Sequence, residues 1–404
     1  MKIVRMYIPL FLILINQTSW VYSTSNLGEF TPIVGSPFAT GSNPFSASFS
    51  PVISGNVFVA AANANDSTVS MYSVNQTTGS LTAVAGSPFA TGSYPQSVSF
   101  SPDVSGSLFA AVANNGNNKV SVYSINTTTG AFTPVAGSPF STGNFPSSVA
   151  FSPIASGNLF AAVANASGTV SVYSANTTTG VFTPVAGSPF AAGLGPISVA
   201  FSPLVSGNLF AAVTNGSSNT ISVYSVNQTT GVFTPVAGSP FATGTTPFSI
   251  AFSPLSSGNL FAAVTNNSDN NVSVYEVNQT TGLFTPVTGS PFATGNTPYF
   301  VGFSPLSSGN LFAAVTNNHG DNVSVYTINQ TTGAFTPATG SPFATASYPA
   351  AVGFSPLLSG GLFALVSSQT DNNVAIYNVT SSEVVKNGSA LSLAIIAKYC
   401  SNAF

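Results

Sequence analysis

Hydrophobic runs of strand length, separated by short clusters of Gly, Asn, Ser and Thr, fill most of the chain. A representative stretch reads PISVAFSP from Pro196, LVSG, NLFAAVTN from Asn208, GSSN, TISVYSVN from Thr220, QTTG and VFTPVAG from Val232. Four apolar runs with turn-forming clusters between them predict four antiparallel strands. Leu209 to Val213 is almost continuously apolar, which predicts a strand covered on both faces. In the third run Ile221, Val223 and Val226 interleave with Ser222 and Ser225, the alternation of a half-buried strand.

The same unit recurs. GSPFATG starts at Gly35, Gly86, Gly238 and Gly289, with GSPFSTG at Gly137, GSPFAAG at Gly187 and GSPFATA at Gly340, at intervals of 51, 51, 50, 51, 51 and 51 residues. Self-similarity at a fixed period means an array of equivalent units, and seven four-stranded units predict an all-β, seven-bladed β-propeller with antiparallel blades. The last unit lacks its fourth run, whereas GEFTPIVGSPF from Gly28 copies it. Residues 28–34 are therefore predicted to complete the seventh blade, so that an N-terminal strand closes the ring. GSPFATG is expected to lead from the outer strand of one blade to the innermost strand of the next. Its glycine permits a positive φ, its proline fixes φ, and its phenylalanine wedges between blades.

Residues 28–379 resemble the YVTN-type, lactonase-like β-propeller family, as in FSPDVSGSLFAAVANNGNNKVSVYSINTTTG from Phe100 to Gly130. The resemblance implies the propeller fold, and the family includes sugar-lactone hydrolases as well as surface proteins with no known reaction. The chain departs from the pattern in a longer loop after Ser-Pro, in Phe-Ala-Ala replacing Tyr-Val, and in having few basic residues.

Composition narrows the function. Only 3% of residues are charged, and Lys2, Arg5, Lys119, Lys386 and Lys398 are the basic ones, which excludes a nucleic-acid binder. The segment 1–23 has a basic start and an apolar run from Tyr7 to Ile15. It reads as a secretory signal peptide rather than a bilayer span, which needs about 20 apolar residues. A secreted or cell-surface location is expected, with three lysines against eight acids after residue 23. Cys400 is the single cysteine, so no intrachain disulfide forms. The tail 380–404 lies outside the repeat, and its apolar core, Leu391 to Ala397, is also too short to span.

The candidate chemistry is sparse. No G-x-S-x-G elbow, phosphate loop or zinc spacing occurs, and His319 is the only histidine. The residues flanking the proline that starts each inner strand vary from blade to blade, and Phe45, Tyr94, Phe145, Phe248, Tyr299, Phe300 and Tyr348 are expected at the channel mouth. There they either grip a glycan or protein ligand or plug the channel. Asp66, Asp269, Asp321 and Asp371 form an acidic sector in the loops between second and third strands; Ca²⁺ binding and ordinary hairpin chemistry are both compatible with it. Sequons at Asn75, Asn126, Asn176, Asn227, Asn278 and Asn329 fall in equivalent turns, as glycan sites or as turn chemistry. The reading these features favour is an exported, non-enzymatic surface or binding scaffold that needs no cofactor. The alternative is a lactonase-type hydrolase, as for 6-phosphogluconolactone.

Overall fold

A computed structural model describes residues 26–381. They form seven antiparallel sheets, each with four strands and a fifth, two-residue strand; in six of them the four strands run in sequence order from the innermost outwards, and in the seventh the outermost comes from the N-terminal end. In blade 4 the strands are Pro196–Phe201, Phe210–Asn215, Thr220–Val226 and Phe233–Pro235. The second strand is buried along its whole length because the adjacent blades cover both of its faces. Ala211 and Ala212 carry only a methyl group there, which suits close approach between sheets.

The third strand departs from simple alternation. Ser222 is buried at 6% exposure, because its face meets the next blade rather than water. Its hydroxyl accepts a hydrogen bond from Asn215 Nδ2 at 3.0 Å, so the polar position serves the interior.

GSPFATG proves to be an interruption within the outer strand as well as a crossover. Outer strand Phe233–Pro235 pairs with the third strand, the chain bulges through the cis peptide Ser239-Pro240, and Phe241–Ala242 rejoins the same third strand. At the break, Ser239 Oγ accepts the Val223 N–H at 2.9 Å and so replaces a missing ladder partner. The wedge is present: Phe241 stacks on Phe284 of the following blade with centroids 5.5 Å apart. Tyr275 of that blade donates its hydroxyl hydrogen to the Ala242 carbonyl at 2.8 Å.

The N-terminal strand closes the ring as its copied sequence predicts. Phe30–Pro32 pairs with the third strand of blade 7, Phe30 opposite Val379 and Pro32 opposite Tyr377, and Phe38–Ala39 pairs beside Val374 and Asn373. The expected signal peptide, residues 1–23, and the tail from residue 382 onward lie outside the described residues.

Candidate functional site

Every inner strand begins at a proline on the face that also carries the loops between second and third strands, here called the upper face. The residue before the proline adopts a left-handed turn, with φ of 57° at Asn43, 53° at Tyr94, 56° at Phe145, 66° at Gly195, 55° at Thr246, 58° at Thr297 and 54° at Tyr348. For a side chain other than glycine that conformation costs about 1 kcal/mol. In five blades its N–H is held by an Asn or Asp of the preceding blade: Asn118 for Phe145, Asn219 for Thr246, Asn270 for Thr297, Asp321 for Tyr348 and Asn372 for Asn43, at 2.8–2.9 Å. Such a hydrogen bond contributes about 1 kcal/mol, enough to offset the turn.

In six blades the residue after the proline faces the axis, whereas Ala350 of blade 7 is buried. Phe45, Gln96, Ser147, Ile197, Phe248 and Tyr299 line a cavity of about 370 Å³ in the upper channel, joined by Asn115 and Phe300. Its two sides differ. Tyr299 lies on Phe248 at 4.0 Å and beside Phe45 at 6.1 Å, and Phe300 meets Phe248 edge-on at 6.0 Å. The opposite side is polar: Asn115 Nδ2 donates to Gln96 Oε1 and to the Pro146 carbonyl, both at 3.3 Å, and Ser147 Oγ donates to the Pro196 carbonyl at 3.1 Å. No charged side chain lines the cavity. Burial, and then the nearby Tyr94, push the Tyr299 phenol above its ordinary value, so its hydroxyl stays protonated and able to donate.

The seven expected mouth aromatics thus separate into two sets. Phe45, Phe248, Tyr299 and Phe300 fill one side of the channel, while Tyr94, Phe145 and Tyr348 stand on the outer rim at 39%, 58% and 42% exposure. Gln96 and Ser147 flank gateway prolines and were expected at the mouth with the other flanking residues, but Asn115, which joins them into a polar wall, escaped sequence reasoning. The signal for the wall was present in the position following each proline, which is aromatic in only some blades.

The acidic residues stay apart. Asp66, Asp269 and Asp371 each accept a backbone N–H from Ser42, Thr245 and Ser347 at 2.6, 2.6 and 2.8 Å, and Asp321 accepts that of Tyr348. Among the described residues no three of His, Cys, Asp or Glu gather as metal ligands; the four aspartates close loops of their own or the next blade instead of converging on Ca²⁺. His319 Nδ1 lies 2.9 Å from Thr297 Oγ1, and its ring meets Tyr348 edge-on at 5.3 Å, on the same upper rim.

All six turn sequons lie on the lower face. In each the Asn Oδ1 accepts the N–H groups two and three residues on, as Asn227 does from Thr229 and Thr230 at 3.0 and 2.9 Å. That is the side-chain-to-backbone turn that Asn favours.

The sequence matches the model of the lactonase, seven-bladed β-propeller family over residues 90–201 and 204–303. No curated protein matches it. Among solved structures it is similar to a candidate 6-phosphogluconolactonase from Bacteroides uniformis, at 20% identity and TM-score 0.61, covering 75% of this chain and 86% of that one. A second candidate 6-phosphogluconolactonase, from Bacteroides fragilis, gives 18% and 0.59, covering 80% and 96%. The periplasmic gluconolactonase of Pseudomonas aeruginosa gives 19% and 0.58, covering 75% and 86%. Identities this low establish the fold alone, but the family match spans more than half of the chain. It overturns the expectation of a non-enzymatic surface scaffold, which rested on the scarcity of charged catalytic groups. With the repeat, the ring closure and this match in agreement, the chain belongs to the seven-bladed lactonase β-propeller family.

Proposed function

We propose that the protein hydrolyses an uncharged lactone in the upper mouth of its channel. The observation that carries this reading is the cavity: an uncharged space of about 370 Å³, aromatic on one side and amide-lined on the other, in a lactonase-family propeller. A phosphorylated lactone would need cations to hold its anion, and none lines this cavity. A neutral ring stacks on Phe248 and Tyr299, while the Tyr299 hydroxyl and the Gln96 amide donate to the carbonyl oxygen as negative charge builds there.

Hydrolysis adds water to the carbonyl carbon and breaks the ring C–O bond. The ring oxygen leaves as the hydroxyl of the product acid. The proton of the attacking water passes to bulk water at the open mouth; His319 packs against Tyr348 on the outer rim, is not among the residues that line the cavity, and takes no part in this step. The basic and apolar start of the chain supports action outside the cytoplasm, as does the periplasmic placing of the Pseudomonas relative.

The test is acid release from glucono-1,5-lactone and δ-valerolactone, followed by pH-stat against a boiled control. Turnover that falls at least tenfold in Tyr299→Phe is expected. No turnover of any neutral lactone would overturn the proposal.

A further inference from the structure

All seven proline gateways present a bulky apolar residue, either before or after the proline. In blades 1, 4, 5 and 6 it follows, as Phe45, Ile197, Phe248 and Tyr299, and points into the channel. In blades 2, 3 and 7 it precedes, as Tyr94, Phe145 and Tyr348, and stands in solvent. Blade 4 adds a second bulky group outside: Gly195 occupies the turn, and Leu194 beside it is 69% exposed.

Tyr94, Phe145 and Leu194 therefore stand on three consecutive blades, 2, 3 and 4. These are the blades whose Gln96, Ser147 and Ile197 line the cavity on the side away from the stacked Phe248 and Tyr299. None of the three is a loosely held loop residue. The Tyr94 carbonyl accepts the Asn115 N–H at 3.0 Å, the Phe145 N–H is bound to Asn118 at 2.8 Å, the Leu194 N–H to Ser218 Oγ at 2.6 Å, and the Leu194 carbonyl accepts the Ser217 N–H at 3.1 Å. At the gateways of blades 1, 5 and 6 the corresponding outer positions are polar, Asn43, Thr246 and Thr297; Tyr348 of blade 7 is separated from the lip by Asn43 of blade 1 and packs edge-on against His319. A fixed apolar lip on one side of an uncharged cavity is complementary to a molecule with a polar ring and an apolar arm.

We infer that the substrate is a lactone bearing an alkyl or acyl substituent, with its ring in the cavity and its chain on the lip formed by Tyr94, Phe145 and Leu194. This rests on the lactonase reading above and narrows it. Each methylene transferred from water to such a lip improves binding about fourfold, so chain length is the natural probe.

The experiment uses the full chain and a series of δ-lactones with ring substituents from none to hexyl, measuring turnover by pH-stat and binding by calorimetry. KM and Kd should fall by roughly twofold to fourfold per methylene, with kcat little changed. Phe145→Asn, which suits the left-handed turn, and Leu194→Ser should each flatten that dependence. Equal KM across the series in the unmodified protein, with the unsubstituted lactone turned over, overturns the inference and leaves the lactonase reading standing. Binding that tightens with chain length without any turnover does the reverse. A change in oligomeric state in both variants, with the chain-length dependence intact, reassigns the lip to a contact between copies and also overturns it.

Discussion

Two positions lie next to each other in every blade and behave in opposite ways. The residue that ends the second strand pairs in register with the inner-strand proline: Asn63 with Pro44, Asn114 with Pro95, Asn165 with Pro146, Asn215 with Pro196, Asn266 with Pro247, Asn317 with Pro298, and Ser368 with Pro349. It is asparagine in six blades. The residue after that proline is Phe45, Gln96, Ser147, Ile197, Phe248, Tyr299 or Ala350, different in almost every blade. The asparagine is fully buried, and its partners belong to the frame. Asn215 Nδ2 donates to Thr220 and Ser222 hydroxyls, and its Oδ1 accepts the Gly193 N–H at 3.0 Å. In the six blades other than blade 7 the channel residue faces a void that side chains of different size can enter. Repetition fixes what touches protein on all sides and frees what touches the cavity.

Blade 7 shows how tightly the frame position is coupled. A β-carbon at Gly193 would lie 2.6 Å from Asn215 Cγ, and the equivalent glycines of the other asparagine blades meet side-chain atoms at 2.5–2.8 Å. In blade 7 the asparagine is Ser368, its serine partner is Ala375, and the glycine is Ala346. Three positions changed together, which explains why the seventh heptad reads GSPFATA.

The largest expected effect on the frame comes from removing its closure. Deleting residues 26–34 takes away Phe30, which stacks on Phe343 at 5.8 Å, and bares the edge of blade 7. Thermal unfolding should fall by roughly 10 °C or give way to aggregation; an unchanged melting temperature would mean that the ring does not depend on this strand. Alkali should act next. Burial pushes Tyr173, Tyr326 and Tyr377 up to about 12, whereas an unfolded tyrosine ionises near pH 10. The unfolded chain therefore releases these protons first. Stability is intact below pH 10 and is lost as pH rises from there towards 12, on the order of 2 kcal/mol per tyrosine. Melting temperatures that stay level to pH 11.5 would contradict this.

Much of the frame was legible because it is local and repeated: strand order, blade count and the copied N-terminal strand all follow from periodicity. The two-residue return of Phe241–Ala242 was not, since a serine hydroxyl had to replace a backbone partner for the strand to break there. Ser222 looked like a solvent-facing position because alternation reports two faces, not what covers them. At the mouth, the sequence identified which positions vary but not which side of the proline meets the axis. That depends on the positive φ before it, and Gln96, Asn115 and Ser147 carry no motif that marks a wall.

Smaller still is the effect of a single methyl group. Gly193→Ala should cost about 1–3 kcal/mol through the clash with Asn215. Combining it with Asn215→Ser and Ser222→Ala rebuilds the blade 7 arrangement and should restore most of that loss. A triple variant no more stable than the single one would show that the blade 7 set is not transferable.

The smallest change in stability should come from Tyr299→Phe, and it sharpens the contrast most. Its ring keeps the 4.0 Å stack on Phe248, and its hydroxyl has no protein partner among the described residues, so unfolding free energy should move by no more than about 0.5 kcal/mol. Asn215→Ala also removes hydrogen-bonding groups, but buried ones with three partners, and should cost about 2–3 kcal/mol. On a neutral lactone the order reverses. Losing the Tyr299 donor should lower kcat by roughly 10²-fold, while the alanine variant, measured well below its melting point, should keep most of its turnover. If Tyr299→Phe instead unfolds early and turns over normally, the tyrosine belongs to the frame and the carbonyl donor must be sought at Gln96.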